Sequence, residues 1–259
     1  MSEGYEKLKA RFQNGEIIIL DGGIGSEMLR RGVTWEGHKV ESEPAAIRAI
    51  HADYIRAGAD VISTNTFQLA RRSYMNHFAD AEHMKRIGAA DLSRRAPLLI
   101  GEGVKRVLEA RDQVGRRDVL VAGAMTTLDW CFRPDVAPSL EEMHAEYRET
   151  VPQAREGLAG VEPDVLLFNC APVPDITLAL GELSRELRKR PGPRMGGYAH
   201  VGRFDPPDWM FTDEYPPAQY LSACREWVSL GAQVLGGCCG TTPMHIEALK
   251  KGLPRTLPV

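Results

Sequence analysis

Short apolar runs alternate along this chain with longer amphipathic stretches, and that alternation narrows the fold more than any other feature. EIIIL (16–20), DVIST (60–64), DVLVAG (118–123), DVLLFNC (164–170), RMGGYAHVG (194–202) and AQVLGG (232–237) read as buried strands. The stretches between them carry helical signals. In 44–57, Ile47, Ile50, Tyr54 and Ile55 share one face, Pro44 opens the helix and Gly58 closes it. Ser26 is placed to cap a helical turn over SEMLRRG. Residues 79–110 read as helix interrupted at Pro97. A helix over 139–160 has Ser139 as its cap and Glu142 in the capping-box position, with a kink at Pro152. Further helices are expected over 176–190, 218–230 and from Pro243 to about residue 251. Apolar strands alternating with helices imply an α/β fold with a parallel sheet covered by helices.

The 259 residues are 43% hydrophobic, enough for a sizeable core, and the length suits one (β/α) barrel. The formal net charge of −3 leaves no basic excess for nucleic acid or an anionic membrane. No window approaches the roughly 18 consecutive apolar residues of a membrane span. The N-terminal residues are polar and mixed in charge, without the apolar core of a signal peptide, so the expected location is the cytoplasm.

Polar and reactive residues gather just after the strands: Asp21, Thr64, Asn65, Thr66, Thr126, Asn169, Cys170, His200, Cys238 and Cys239. In parallel α/β folds, sites form at that end of the strands, and so many such ends suit a barrel better than an open sheet. The five cysteines, an odd count, do not read as a disulfide framework. Cys131 and Cys224 read as small core residues, Cys224 with Trp227 and Val228 nearby. Cys170 and the Cys238–Cys239 pair each end a predicted strand. Three thiolates at one mouth suggest Zn²⁺ with a fourth position left open, and the competing reading is three small buried hydrophobes. Neighbours on a regular strand face opposite ways, so Cys238 and Cys239 can share an ion only where the backbone leaves the strand. Gly236, Gly237 and Gly240 permit that turn.

Other residues carry two readings each. His200 is a substrate or donor contact, or a hydrogen-bonded loop histidine. Trp209, Phe211 and Tyr215 form an aromatic wall for a cationic donor, or pack ordinarily. Asp205 and Asp208 read as turn residues and His245 as a helix-start residue. The glycine-rich DGGIGSE fails the spacing of a dinucleotide-binding turn.

DGGIGSEMLRRG, GADVISTNTF, FNCAP and above all GGCCGTTPMHIEAL resemble, in order, the signatures of the homocysteine S-methyltransferase family. The resemblance implies one (β/α)8 TIM-type barrel domain over 1–259. It implies zinc held by Cys170, Cys238 and Cys239, with homocysteine entering through its sulfur as the fourth ligand. It places the amino acid end of homocysteine near Asp21, with Thr64 as a further contact. The expected reaction is transfer of a methyl group from a small-molecule donor to homocysteine, giving methionine. The family's donors vary: S-methylmethionine, S-adenosylmethionine, betaine, or corrinoid and folate systems. The family's zinc thiolate attacks a methyl carbon on a positive sulfur or nitrogen, so the leaving group departs neutral and no general acid is needed.

The chain departs from that pattern between AGAMTTL and DVLLFNC, where the family carries two more βα units. About six strands are read here, not eight. The family's fourth-strand glutamate, which binds the homocysteine amino group, has no counterpart. Glu141, Glu142, Glu146 and Glu149 read as a solvated helix face. A shortened barrel, a gap filled by another chain (a homo-oligomer is left open) and a catalytically impaired zinc-binding relative or interaction subunit are the alternatives. A related enzyme with another thiol or a selenol as acceptor is a further one.

Overall fold

The computed structural model describes residues 3–33, 43–66, 92–124, 164–189, 192–205, 208–212 and 214–258. The helix expected over 139–160, the 79–91 part of the helix expected over 79–110, Thr126, Cys131 and the four glutamates lie outside them. The elements are α1 (Glu3–Gln13), β1 (Ile18–Ile19), α2 (Ile24–Arg30), α3 (Pro44–Ala57), β2 (Val61–Ser63), α4 (Leu92–Val114), β3 (Leu120–Ala122) and β4 (Val165–Pro172). After these come α5 (Val173–Lys189), β5 (Arg194–His200), β6 (Gly202–Asp205), β7 (Asp208–Phe211), α6 (Pro217–Ser229), β8 (Ala232–Leu235) and α7 (Pro243–Gly252).

The six expected strands all form, and all pair in parallel. β3 pairs with β2, β1 with β8, β8 with β5 and β5 with β4. A parallel bridge between Leu20 and Val61 joins β1 to β2. The spatial row is therefore β3-β2-β1-β8-β5-β4. First and last strands are neighbours, and the two ends of the row are β3 and β4, the strands that flank the departure from the family pattern. The inner strands β1 and β8 are buried along their length, as parallel sheets require, whereas β3 and β4, at the ends of the row, are more exposed, with Leu166 and Leu167 of β4 open to solvent. Ile18, Val61 and Val234 turn to one side, where Leu20, Leu120, Val165 and, from α1, Leu8 and Phe12 join them. Their neighbours Ile19, Ile62 and Leu235 turn to the other side, against Ile47, Ile50, Tyr54 and Ile55 of α3 and Ile246 and Leu249 of α7.

α3 matches its expected span, with Gly58 at its C-cap in the left-handed region (φ 105°). Two expectations are corrected. Ser26 is not a cap: Gly23 caps α2, and Ser26 is the third residue of the helix. Pro97 does not interrupt α4, because the helix starts at Leu92 and the proline falls in its second turn, where little of the hydrogen-bond ladder precedes it. The turn expected at Asp205 and Asp208 is present, as the closing pair of an antiparallel hairpin between β6 and β7. Among the described residues, no helix is long and apolar enough to cross a membrane.

Candidate metal centre

β4 does not end as a regular strand. Its register against β5 shifts between Asn169 and Pro172, and Pro172 comes to lie opposite His200. At that irregularity Cys170 adopts φ 52°, the one positive φ at a non-glycine residue among those described. The left-handed conformation costs a side-chain-bearing residue about 1–2 kcal/mol, so the surroundings must hold it there.

The chain leaves β8 at Gly236 and turns through Cys238 and Cys239. Backbone bonds fix the turn: Gly237 N–H donates to the Asp21 carbonyl (2.9 Å), Cys238 N–H to the Ala199 carbonyl (2.9 Å), and Val201 N–H to the Cys239 carbonyl (2.9 Å). Gly240 reverses the chain at φ 83°, where a side chain would be strained. Its N–H donates to Ser26 Oγ (2.8 Å), and Ser26 in turn donates to the Gly23 carbonyl (3.2 Å). Thr241 Oγ donates to the Cys238 carbonyl (2.6 Å) and accepts the Gly23 N–H (3.2 Å). Arg30 donates to the Gly240 carbonyl (3.3 Å) and lies over the Phe211 ring, 4.6 Å from its centre.

The result is the convergence of the three expected thiols. Cys170 Sγ lies 3.8 Å and Cys238 Sγ 3.9 Å from Cys239 Sγ. All three sulfurs fall within 4.8 Å of one another, and they form the one such cluster of candidate metal ligands among the described residues. Tetrahedral zinc with Zn–S near 2.3 Å places its sulfurs about 3.8 Å apart. The donor set and its spacing thus fit one tetrahedral ion with a fourth position left for a ligand. Contacts from the Cys170 and Cys238 thiols hold the Cys239 thiol well below the usual thiol range, so the cluster favours a thiolate there. Cys224 lies apart, buried in α6 with its thiol pushed up by burial, as a core residue should be.

Asp21 follows β1 and is buried. Its carboxylate accepts the Ser63 N–H (2.7 Å) and the Ser63 hydroxyl (3.0 Å). Burial outweighs those bonds and pushes its pKa up to about 7. Thr64, also buried, sits in a closed ring of hydrogen bonds. Its Oγ lies 2.6 Å from Thr66 Oγ, Thr66 donates to the Ala124 carbonyl (2.7 Å), and Ala124 N–H donates to Thr64 Oγ (2.9 Å). The Thr64 proton is therefore committed to Thr66, and one acceptor lone pair remains.

Two residues unremarked as candidates stand out. Ser26 ties α2 to the cysteine turn. Tyr198 lies opposite Asn169 on β5. Burial, then the fields of Cys238, Cys170 and Asp21, push its phenol up to about 12, against a hydrogen bond with Asn169. Tyr198 is thus the side chain that senses both the thiol cluster and Asp21. Nothing in its surrounding sequence, RMGGYAHVG, distinguishes it from an ordinary strand aromatic. His245 is a helix-start residue as expected. Its Nδ1 accepts the Thr242 N–H (3.1 Å), so Nε2 donates to the Tyr215 carbonyl (2.9 Å). Phe211 is taken up by Arg30, and Tyr215 packs against the core. The side chains of Asp205, Asp208 and Trp209 lie outside the described set.

The family model for homocysteine S-methyltransferase matches residues 18–168 and 149–253. The S-methylmethionine–homocysteine S-methyltransferase BHMT2 of Rattus norvegicus is 24% identical over 301 aligned positions, covering 94% of this chain and 80% of the relative. The homocysteine S-methyltransferase of Escherichia coli K12 is 26% identical over 321 positions, covering 94% and 97%. Both alignments are longer than the chain, so each relative has stretches with no counterpart here. The fold is similar to that of the metallated homocysteine methyltransferase MmuM of E. coli, with a TM-score of 0.64 at 20% identity over 94% of this chain and 99% of that one. Sequence match and shared fold agree, and the chain belongs to the homocysteine S-methyltransferase family.

Proposed function

We propose that this protein transfers a methyl group to the thiol of homocysteine, giving methionine, at a zinc centre held by Cys170, Cys238 and Cys239. The observation that carries the reading is the convergence of three thiols from two strand ends at the spacing of tetrahedral zinc. Zinc bound there supplies the charge that keeps an incoming thiol deprotonated at neutral pH. A free thiol, with a pKa near 8.5, is mostly protonated under those conditions.

The chain's own groups do the rest by placement. The bulge at Cys170 and the turn after β8 aim three sulfurs at one point. Asp21 offers a buried carboxylate to the homocysteine ammonium. A carboxylate whose pKa stands near 7 when alone gains most from such a partner. Thr64 offers its remaining lone pair to the same end of the substrate. The homocysteine sulfur forms its bond to the methyl carbon as that carbon leaves a positively charged sulfur or nitrogen. The electron pair of the broken bond stays with the leaving group, which departs neutral, so no proton donor is required. Holding sulfur and methyl in line supplies much of the acceleration. The name of the rat relative makes S-methylmethionine the first donor to try, with S-adenosylmethionine and betaine after it.

The test is zinc per chain on reduced, monodisperse protein, beside Cys170→Ala. About one zinc in the parent and little in the variant is the expected result. Zinc content indifferent to Cys170 would overturn the ligand assignment.

A further inference from the structure

We propose that a cavity along the free edge of β3 is a ligand site for an apolar carboxylate, a linear aliphatic chain with a carboxylate head, held by Arg111 and Arg117. It shares no residue with the metal centre, so it stands apart from the zinc reading. The cavity lies between α1 and β3 and measures about 540 Å³. That is within the range of small-molecule sites, about 300–1,000 Å³. Leu8 of α1, Val61 of β2 and Leu120 of β3, all members of the inner cluster, form one wall. Val121, which packs against the outer cluster, lines the cavity too. Successive strand side chains point to opposite faces, so a cavity that meets both Leu120 and Val121 reaches round the strand's edge. That edge is free: β3 ends the row, and β2 is its one partner strand among the described residues.

Charge selects the head group. Arg111, in the last turn of α4, and Arg117 are the two charged residues of the lining, and both are cationic. Tyr5, also in the lining, gives its hydroxyl proton to Asp164. The two guanidiniums converge: their Nε atoms lie 4.0 Å and 3.5 Å from one oxygen, Asp112 Oδ1. Both separations are longer than the roughly 3.2 Å of a good N–H···O bond. One carboxylate can therefore sit between the two, but Asp112, half-exposed, is bound closely by neither. Arg111 Nε is buried and has no acceptor among the described residues. A buried donor left in that state is costly, and a carboxylate entering from the cavity supplies the missing acceptor. The guanidinium fork also matches a planar carboxylate in shape. The Arg111 side chain is 24% exposed and that of Arg117 82%. The head group thus binds near the opening, and the aliphatic chain runs inward along Leu8, Val61 and Leu120.

The experiment is calorimetric titration of the reduced full chain with decanoate, decanol and acetate, each below the concentration at which it forms micelles. Decanol keeps the chain without the charge, and acetate the charge without the chain. Decanoate is expected to bind at one site per molecule, and decanol and acetate at least about tenfold more weakly. In the double variant Arg111→Gln, Arg117→Gln, decanoate is expected to weaken by about tenfold or more, down to the level of decanol, while decanol binding stays parental. Should the double variant not fold, Arg117→Gln alone, at an exposed side chain, takes its place and is expected to weaken decanoate in the same direction. A parent that does not bind decanoate, a parent that binds decanol as tightly, or a variant that binds decanoate like the parent overturns the inference. Zinc content is measured on the same samples, and none of these outcomes bears on Cys170, Cys238 and Cys239.

Discussion

His51 is fully buried on α3, and neither of its ring nitrogens has a hydrogen-bond partner among the described residues. Burial pushes its pKa down to about 4, against the usual 6.5. Below pH 6.5 the unfolded chain takes up a proton that the folded chain refuses. The stability this group allows is therefore full above pH 6.5 and falls as pH drops toward 4, by up to about 3 kcal/mol. His51→Leu is expected to flatten that acid-side loss and to raise stability at neutral pH by about 1 kcal/mol or more. Urea titrations of parent and variant at pH 7.5 and 4.5 check it, and parallel losses in both would contradict it. Asp21 has the opposite sign. Its folded pKa, near 7, stands above the 3.8 of an ordinary aspartate. Its contribution is present at acid pH and lost as pH rises through 7. Asp21→Asn is expected to be more stable than the parent at pH 8, by up to about 4 kcal/mol, while its KM for homocysteine rises. A variant with parental KM would remove Asp21 from the substrate site. The clustering of the three cysteines was legible because each stands at a strand end and carries chemistry, and Asp21 was legible as a polar residue just after a strand. Ser26 was misread because a serine near a helix start signals a cap, and only the folded chain brings Gly240 to its hydroxyl.

Element boundaries were legible where several local signals agreed. α3 has its proline, its apolar face and its glycine, and it forms over the expected 44–57. The irregular end of β4 was not legible, because a bulge is set by the neighbouring strand and leaves no pattern in FNCAP itself. The β6–β7 hairpin was missed for a similar reason: in GRFDPPDWMF the prolines mark a turn without showing that its flanks pair. At this scale α2 and the cysteine turn act as one unit. Ser26→Ala leaves the buried Gly240 N–H without its acceptor. The expected cost is about 1–3 kcal/mol of stability together with weaker zinc binding. Denaturant midpoints with and without zinc measure both effects, and an unchanged midpoint would separate the helix from the turn.

Across the whole molecule, the parallel row runs from β3 to β4 with β1 beside β8, and α1 lies against it near both ends. Tyr5 donates to Asp164, just ahead of β4, while a side chain at Gly4 would strike Leu120 of β3. Phe12 and Leu8 join the inner cluster. Phe12→Ala is expected to cost about 3 kcal/mol or more. Zinc stoichiometry should be retained, since no thiol contact changes. A loss of zinc along with stability would mean that the inner cluster and the metal centre do not separate. The parallel pairing of the strands was legible from the alternation of elements. How β3 meets β4 was not, because that depends on long-range pairing that no local pattern encodes.

The most direct test of the account is methionine formation from homocysteine and S-methylmethionine by zinc-loaded protein, by chelator-stripped protein, and by stripped protein given zinc again. The account predicts turnover in the first, its loss in the second and its return in the third. No methionine from the zinc-loaded chain with S-methylmethionine, S-adenosylmethionine or betaine, or full activity after zinc removal, would contradict it.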